Sequence, residues 1–212
     1  RIRPQGDDAM KKDIAARPVQ ERLQHLFSVI SGRRFLEKQG LGNEVPFFIC
    51  PYPPEESVEM DRMRRSLVRQ LENAGVRILE IDLYDLSVEI LKERGIWDRI
   101  LEMETSTSKE ELNELLQGVL DPKANLVPAI AARMAGAEFD VLFISGVGEV
   151  FPCIRSHSVL NNLQSTAKEQ PTVMFFPGAY THSSESGASL DLFGRLHNDK
   201  YYRAFNIFHC EA

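Results

Sequence analysis

From Val19 to Ile30 the apolar residues Val19, Leu23, Leu26, Phe27 and Ile30 recur at helical spacing. They predict a helix from about Pro18 to Phe35 with one face on a core. The pattern then changes. Val45 to Cys50 is a short unbroken apolar run stopped by Pro51-Tyr52-Pro53-Pro54, as expected of a strand covered on both faces. Glu55 and Glu56 open a second helix whose stripe of Met60, Met63, Leu67, Leu71 and Ala74 is closed by Gly75. Val76 to Leu83 alternates as a second strand, with Arg77, Glu80 and Asp82 implying that one face meets polar groups. Ser87 is expected to cap a helix running to Arg94, and Trp97 to Glu104, Lys109 to Leu120 and Leu126 to Met134 read as further helices. Phe139 to Ile144 is a third strand, followed by Ser145-Gly146-Val147-Gly148-Glu149 and a helix from Ile154 to Leu163. Thr172 to Phe176 is a fourth strand ended by Pro177-Gly178. A short helix near Leu190 to Leu196 and a last strand from Tyr202 to Phe208 follow a polar loop containing Ser183, Ser184, Ser186 and Gly187.

Unbroken apolar strands that alternate with helices imply an α/β fold. The expectation is a single three-layer domain with a mostly parallel sheet of about five strands flanked by helices. It is Rossmann-like or P-loop-like in layout but without a Walker A motif. Arg1 to Ala9 precede Met10 and are set apart as a cloning remnant, leaving residues 10 to 212 as the domain. A net charge of -6 ranks direct DNA binding last, since that affinity comes mainly from Lys and Arg on phosphates. Three cysteines in no regular spacing suggest reduced thiols in a cytoplasmic protein, and no apolar stretch reaches membrane-spanning length.

In open parallel sheets ligands sit beyond the carboxyl ends of the strands. The residues expected there are Asp82, Asp85, Ser145, Gly146, Gly148, Glu149 and Tyr180, a candidate cleft of carboxylates, hydroxyls and glycine-exposed amides. Ordinary turn chemistry explains the glycines and prolines as well, and both Gly146 and Gly178 are expected where the backbone turns sharply. No Gly-x-x-x-x-Gly-Lys phosphate loop occurs, and Gly146-Val147-Gly148 lacks the third glycine of a dinucleotide site. Cys153 and His157 lie four apart on a predicted helix, a spacing that two metal ligands can share, but no complete ligand set accompanies them. Ser145 is not in a nucleophile-elbow setting. No catalytic residue, metal or cofactor is therefore assigned. Arg155, His157, Arg195, Tyr201, Tyr202 and Arg203 combine the cationic and aromatic types enriched at protein interfaces and form a candidate contact surface.

Five segments carry a resemblance. They are Phe143 to Pro152 (FISGVGEVFP), Arg155 to Leu163 (RSHSVLNNL), Phe176 to Tyr180 (FPGAY), Leu192 to Leu196 (LFGRL) and Tyr201 to Ile207 (YYRAFNI). Together they resemble the BrxB family of bacterial phage-exclusion (BREX) defence systems, over nearly the whole chain from about Val19. The resemblance implies a small cytoplasmic component of a system that methylates host DNA and blocks phage replication. Its fellow components include a DNA methyltransferase, a large ATPase and the alkaline-phosphatase-like PglZ. No enzymatic activity is carried over, so a non-catalytic assembly or adaptor role is expected, with PglZ the first candidate partner and the methyltransferase and the ATPase behind it. The alternative is a nucleotide- or Mg-phosphate-binding sensor or hydrolase using the strand-end cleft.

Overall fold

The computed structural model describes residues 14–40, 45–183, 187–193, 196–200 and 204–212. Arg1 to Ala9, Ser184, Ser186, Arg195, Tyr201, Tyr202 and Arg203 lie outside them. The first element is α1 (Val19–Ile30), which buries Leu23, Leu26, Val29 and Ile30. The predicted longer helix is broken at Gly32, whose backbone is extended (φ -71°, ψ 138°), and the chain restarts as the short α2 (Arg33–Leu36). Next come β1 (Phe47–Tyr52), α3 (Ser57–Asn73) and β2 (Ile78–Asp82). A helical crossover follows through α4 (Leu83–Glu93), α5 (Trp97–Glu104), α6 (Lys109–Val119) and α7 (Val127–Ala135). The chain continues as β3 (Val141–Ser145), α8 (Ser156–Leu163), β4 (Thr172–Ser183), β5 (Gly187–Leu192), β6 (Leu196–Lys200) and β7 (Phe205–Asn206).

The sheet runs in the order β2-β3-β4-β1-β7 with every neighbouring pair parallel, and β5 and β6 extend it as an antiparallel hairpin on β4. Alternation along the strands divides the core in two. Phe48, Cys50, Val141, Phe143, Val173 and Phe175 pack under α1 and α3, through Leu26, Ile30, Met60, Met63 and Leu67. Phe47, Ile49, Leu142, Ile144, Met174 and Phe176 point the other way onto Leu86, Ile90, Ile130, Val159 and Leu160 of α4, α7 and α8. The three-layer parallel architecture is therefore as expected. The polar face expected of β2 meets α3, where Arg64 bridges Glu80 and Asp61.

Five local expectations are corrected. The helix after β2 begins at Leu83 and its cap is Asp82, whereas Ser87 is buried in the first turns with its hydroxyl donated to the Leu83 carbonyl at 2.6 Å. The helix after β3 begins at Ser156, so Cys153 sits in the preceding turn and shares no helical face with His157. The fourth strand does not end at Pro177-Gly178 but continues to Ser183, and the stretch expected as a helix near Leu190 to Leu196 is the β5 to β6 hairpin. Leu190 and Leu192 are buried while Asp191 is half-buried, a period-two pattern too short to be told from a helical one. The last strand is cut to Phe205–Asn206 because Asn206 Oδ1 accepts from the Phe208 amide at 3.0 Å, turning Ile207 and Phe208 together into the α1/α3 core.

Candidate functional site

At the carboxyl ends of β1 to β4 the chain leaves the sheet in opposite directions. After β1 it passes to the α3 face, and after β2 and β3 to the α4 and α8 face. The divergence leaves a crevice, as it does in other open α/β sheets. The crevice is a pocket of about 260 Å3 bounded by Tyr52, Asp82, Ser145 to Glu149 and Pro177 from the strand ends, by Ser57, Asp61 and Arg64 from α3, and by Phe193.

Its floor is a self-satisfied lock. Asp82 and Ser145 are the last register pair of β2 and β3, and the Ser145 hydroxyl donates to Asp82 Oδ2 at 2.9 Å. The other Asp82 oxygen accepts from the amides of Tyr84 at 2.9 Å and Asp85 at 3.2 Å, capping α4. Gly146 turns the chain away at φ 72°, and a Cβ there would stand 2.5 Å from Asp82 Oδ1, so the sharp turn expected at this glycine is present and excludes a side chain.

The walls are acidic. Arg64, only 14% exposed, is shared between Asp61 and Glu80 and leaves little positive charge for the cavity. Burial works to raise the Asp61 carboxyl, but hydrogen bonds from Arg64 and Arg65 prevail and hold it below the usual range. Glu149 is raised, by burial first and then by Asp82, Asp85 and Asp61, with Arg64 offsetting in part. It accepts no hydrogen bond from any described residue. The Tyr52 phenol is pushed up to about 12, mainly by burial, and so stays protonated as a donor at the pocket wall. An environment of this sign disfavours a bare phosphate. Among the described residues no three His, Cys, Asp or Glu side chains stand close enough to hold a metal ion.

Of the expected cleft residues, Asp82, Ser145, Gly146, Gly148 and Glu149 line this pocket. Asp85, exposed in the first turn of α4, acts on Glu149 through space without lining it. Tyr180 is elsewhere: it is buried, donates to the Ala204 carbonyl at 2.5 Å, and borders a separate shallow crevice of about 500 Å3 with Pro53, Glu55 and Ala179. Gly178 does not turn but pairs with Leu192 in extended backbone, where a Cβ would collide with the Asp191 carbonyl oxygen. Ser57, Asp61 and Arg64 escaped the sequence reading although their i, i+4, i+7 spacing on α3 already placed them on one stripe. Phe193, which escaped it too, has a left-handed backbone at φ 55° that no apolar periodicity announces. On the candidate contact surface, Arg155 is exposed just before α8, and half-buried His157 has its Nε2 3.2 Å from the Ser158 hydroxyl. The remaining members, Arg195, Tyr201, Tyr202 and Arg203, are among the undescribed residues.

Comparison with known proteins decides the family. The model of the family described as BREX protein BrxB matches residues 79–207. A BREX protein BrxB of Bacillus cereus (strain H3081.97) is 36% identical over 195 residues, covering 90% of this chain and 98% of the relative. The chain belongs to the BrxB family. A second BREX protein BrxB, from Escherichia coli O9:H4 (strain HS), is 31% identical over 191 residues, covering 90% of this chain and 92% of its own length. No solved structure matches. The BrxB family model runs from within β2 through β7, and so includes Asp82, the turn after β3, Pro177-Gly178 and the β5 to β6 hairpin. No helix among the described residues is long and apolar enough to cross a membrane.

Proposed function

We propose that this BrxB-family chain is a non-catalytic assembly or adaptor component of a BREX defence system that binds another protein of the system, PglZ before the methyltransferase or the large ATPase. Family membership supports the setting. The observation that carries the non-catalytic half is the lock at the strand ends, where Ser145 donates to a carboxylate already capped by two amides. Both Asp82 oxygens are taken by donors of the fold itself and the Ser145 hydroxyl is spent on Asp82, so neither group is presented to an incoming substrate. The expected result is co-elution with one BREX component when each is mixed in turn with the purified chain, and failure to co-elute with any of them overturns the reading. Nucleotides with Mg²⁺ are expected to leave the melting temperature unchanged. A rise that grows with ligand concentration would instead favour the sensor or hydrolase.

A further inference from the structure

The elements that line the pocket also carry exposed apolar side chains. Five large hydrophobic side chains stand exposed among the described residues: Val58 at 68%, Tyr84 at 46%, Leu101 at 45%, Leu115 at 38% and Phe193 at 37%. Single exposed apolar residues need no explanation, but one of these five lines the pocket and two more follow within two residues of lining positions. Phe193 lines the pocket itself. Val58 follows lining Ser57 and lies one step round α3 from Asp61, on the solvent flank of the same stripe. Tyr84 opens α4 with its amide bonded to Asp82. Exposed aromatic and aliphatic residues on the elements lining a cavity too small for a domain, but large enough for a side chain, are features of a protein contact.

Charge selects the occupant. The cavity faces Asp61, Asp82 and Glu149, with Asp85 nearby, and the one cation among its described lining residues is already shared between two carboxylates. Glu149 is the carboxylate left with no donor from the described residues. We infer that this pocket docks a segment of a partner protein that inserts an Arg or Lys side chain toward Glu149 and lays apolar residues over Val58, Tyr84 and Phe193. An incoming guanidinium or ammonium supplies the missing donor and relieves the repulsion among the carboxylates, while the rim excludes water from the contact. This inference rests on the adaptor reading and names the surface through which it operates.

The probe is whichever BREX component co-elutes with the wild-type chain, and its affinity is compared for Glu149→Lys, Val58→Asp and Leu115→Asp. Leu115→Asp makes the same change on an exposed apolar residue of α6, away from the pocket. Glu149→Lys and Val58→Asp are expected to weaken binding by about tenfold or more, with melting temperatures close to wild type because both side chains are exposed. Leu115→Asp is expected to bind as wild type. Added salt should weaken the wild-type complex more than the Glu149→Gln complex, a readout that loss of folding does not mimic. Wild-type affinity in both Glu149→Lys and Val58→Asp overturns the pocket as the docking site while leaving the adaptor reading intact. Equal weakening by all three variants overturns it as well. Failure of every component to co-elute with the wild type removes both.

Discussion

The two halves of β4 form one continuous strand, yet they are held in different ways. Thr172 to Pro177 lies between β1 and, for part of its length, β3, with Val173, Met174 and Phe176 fully buried on alternating faces. Gly178 to Ser183 has left the parallel sheet and pairs only with β5, antiparallel. The first half asks for apolar bulk and is secured by burial, worth about 1.5–3 kcal/mol for each large side chain. The second half asks for geometry. It depends on the missing side chain at Gly178, on the Phe193 amide donating to the Pro177 carbonyl at 2.9 Å, and on the Tyr180 hydroxyl bonded to Ala204. The pocket hangs from this second half through Phe193, so the proposed contact surface is built on the less redundantly held part of the strand.

The comparison can be broken most severely in the first half. Phe176→Ala is expected to cost about 3–5 kcal/mol in urea unfolding, because the cavity opens inside a core with few ways to collapse. A cost under about 1 kcal/mol would contradict a burial-secured half. In the second half, Gly178→Val is expected to cost about 2–3 kcal/mol by forcing β4 and β5 apart. Amide exchange should quicken at Tyr180, Thr181, Ser189 and Leu190 while Val173 and Met174 stay protected. Equal loss of protection in both halves would show that they unfold as one unit. The smallest effect is Tyr180→Phe, which keeps the ring and deletes the bond to Ala204, at about 1 kcal/mol. A cost indistinguishable from zero would mean that this hydroxyl does not fasten the hairpin.

The candidate site was legible where chemistry lay at a strand end. Asp82, Ser145, Gly146 and Glu149 could be placed because an apolar run announces where a parallel strand stops, and in such sheets that is where crevices form. Tyr180 was misplaced because Pro177-Gly178 was read as a stop. Proline lacks the amide of a central ladder and glycine favours turns, but here Pro177 is the last parallel position and Gly178 lets another strand come close. Ser87 lost the cap to Asp82 because both residue types suit the position and only one stands where the strand meets the helix. The contributions of α3 lie in the sequence as a spacing, but nothing along the chain says which side of an amphipathic helix borders a cavity.

Local periodicity and breakers determined by themselves that this protein alternates strands with helices, that its central strands are covered on both faces, and that Gly146 follows a strand whose end must turn. Those features follow from side chains within a few residues of one another, so the chain's own order carries them. Only the tertiary structure decided that Arg64 is consumed by Asp61 and Glu80, that Asp82 is saturated while Glu149 accepts from none of the described residues, and that Phe193 from the hairpin and Ser57 from α3 line the same pocket. Each depends on which strand lies beside which, and strand order is set by burying two faces of one sheet at once, a condition on the whole chain that no local stretch can express.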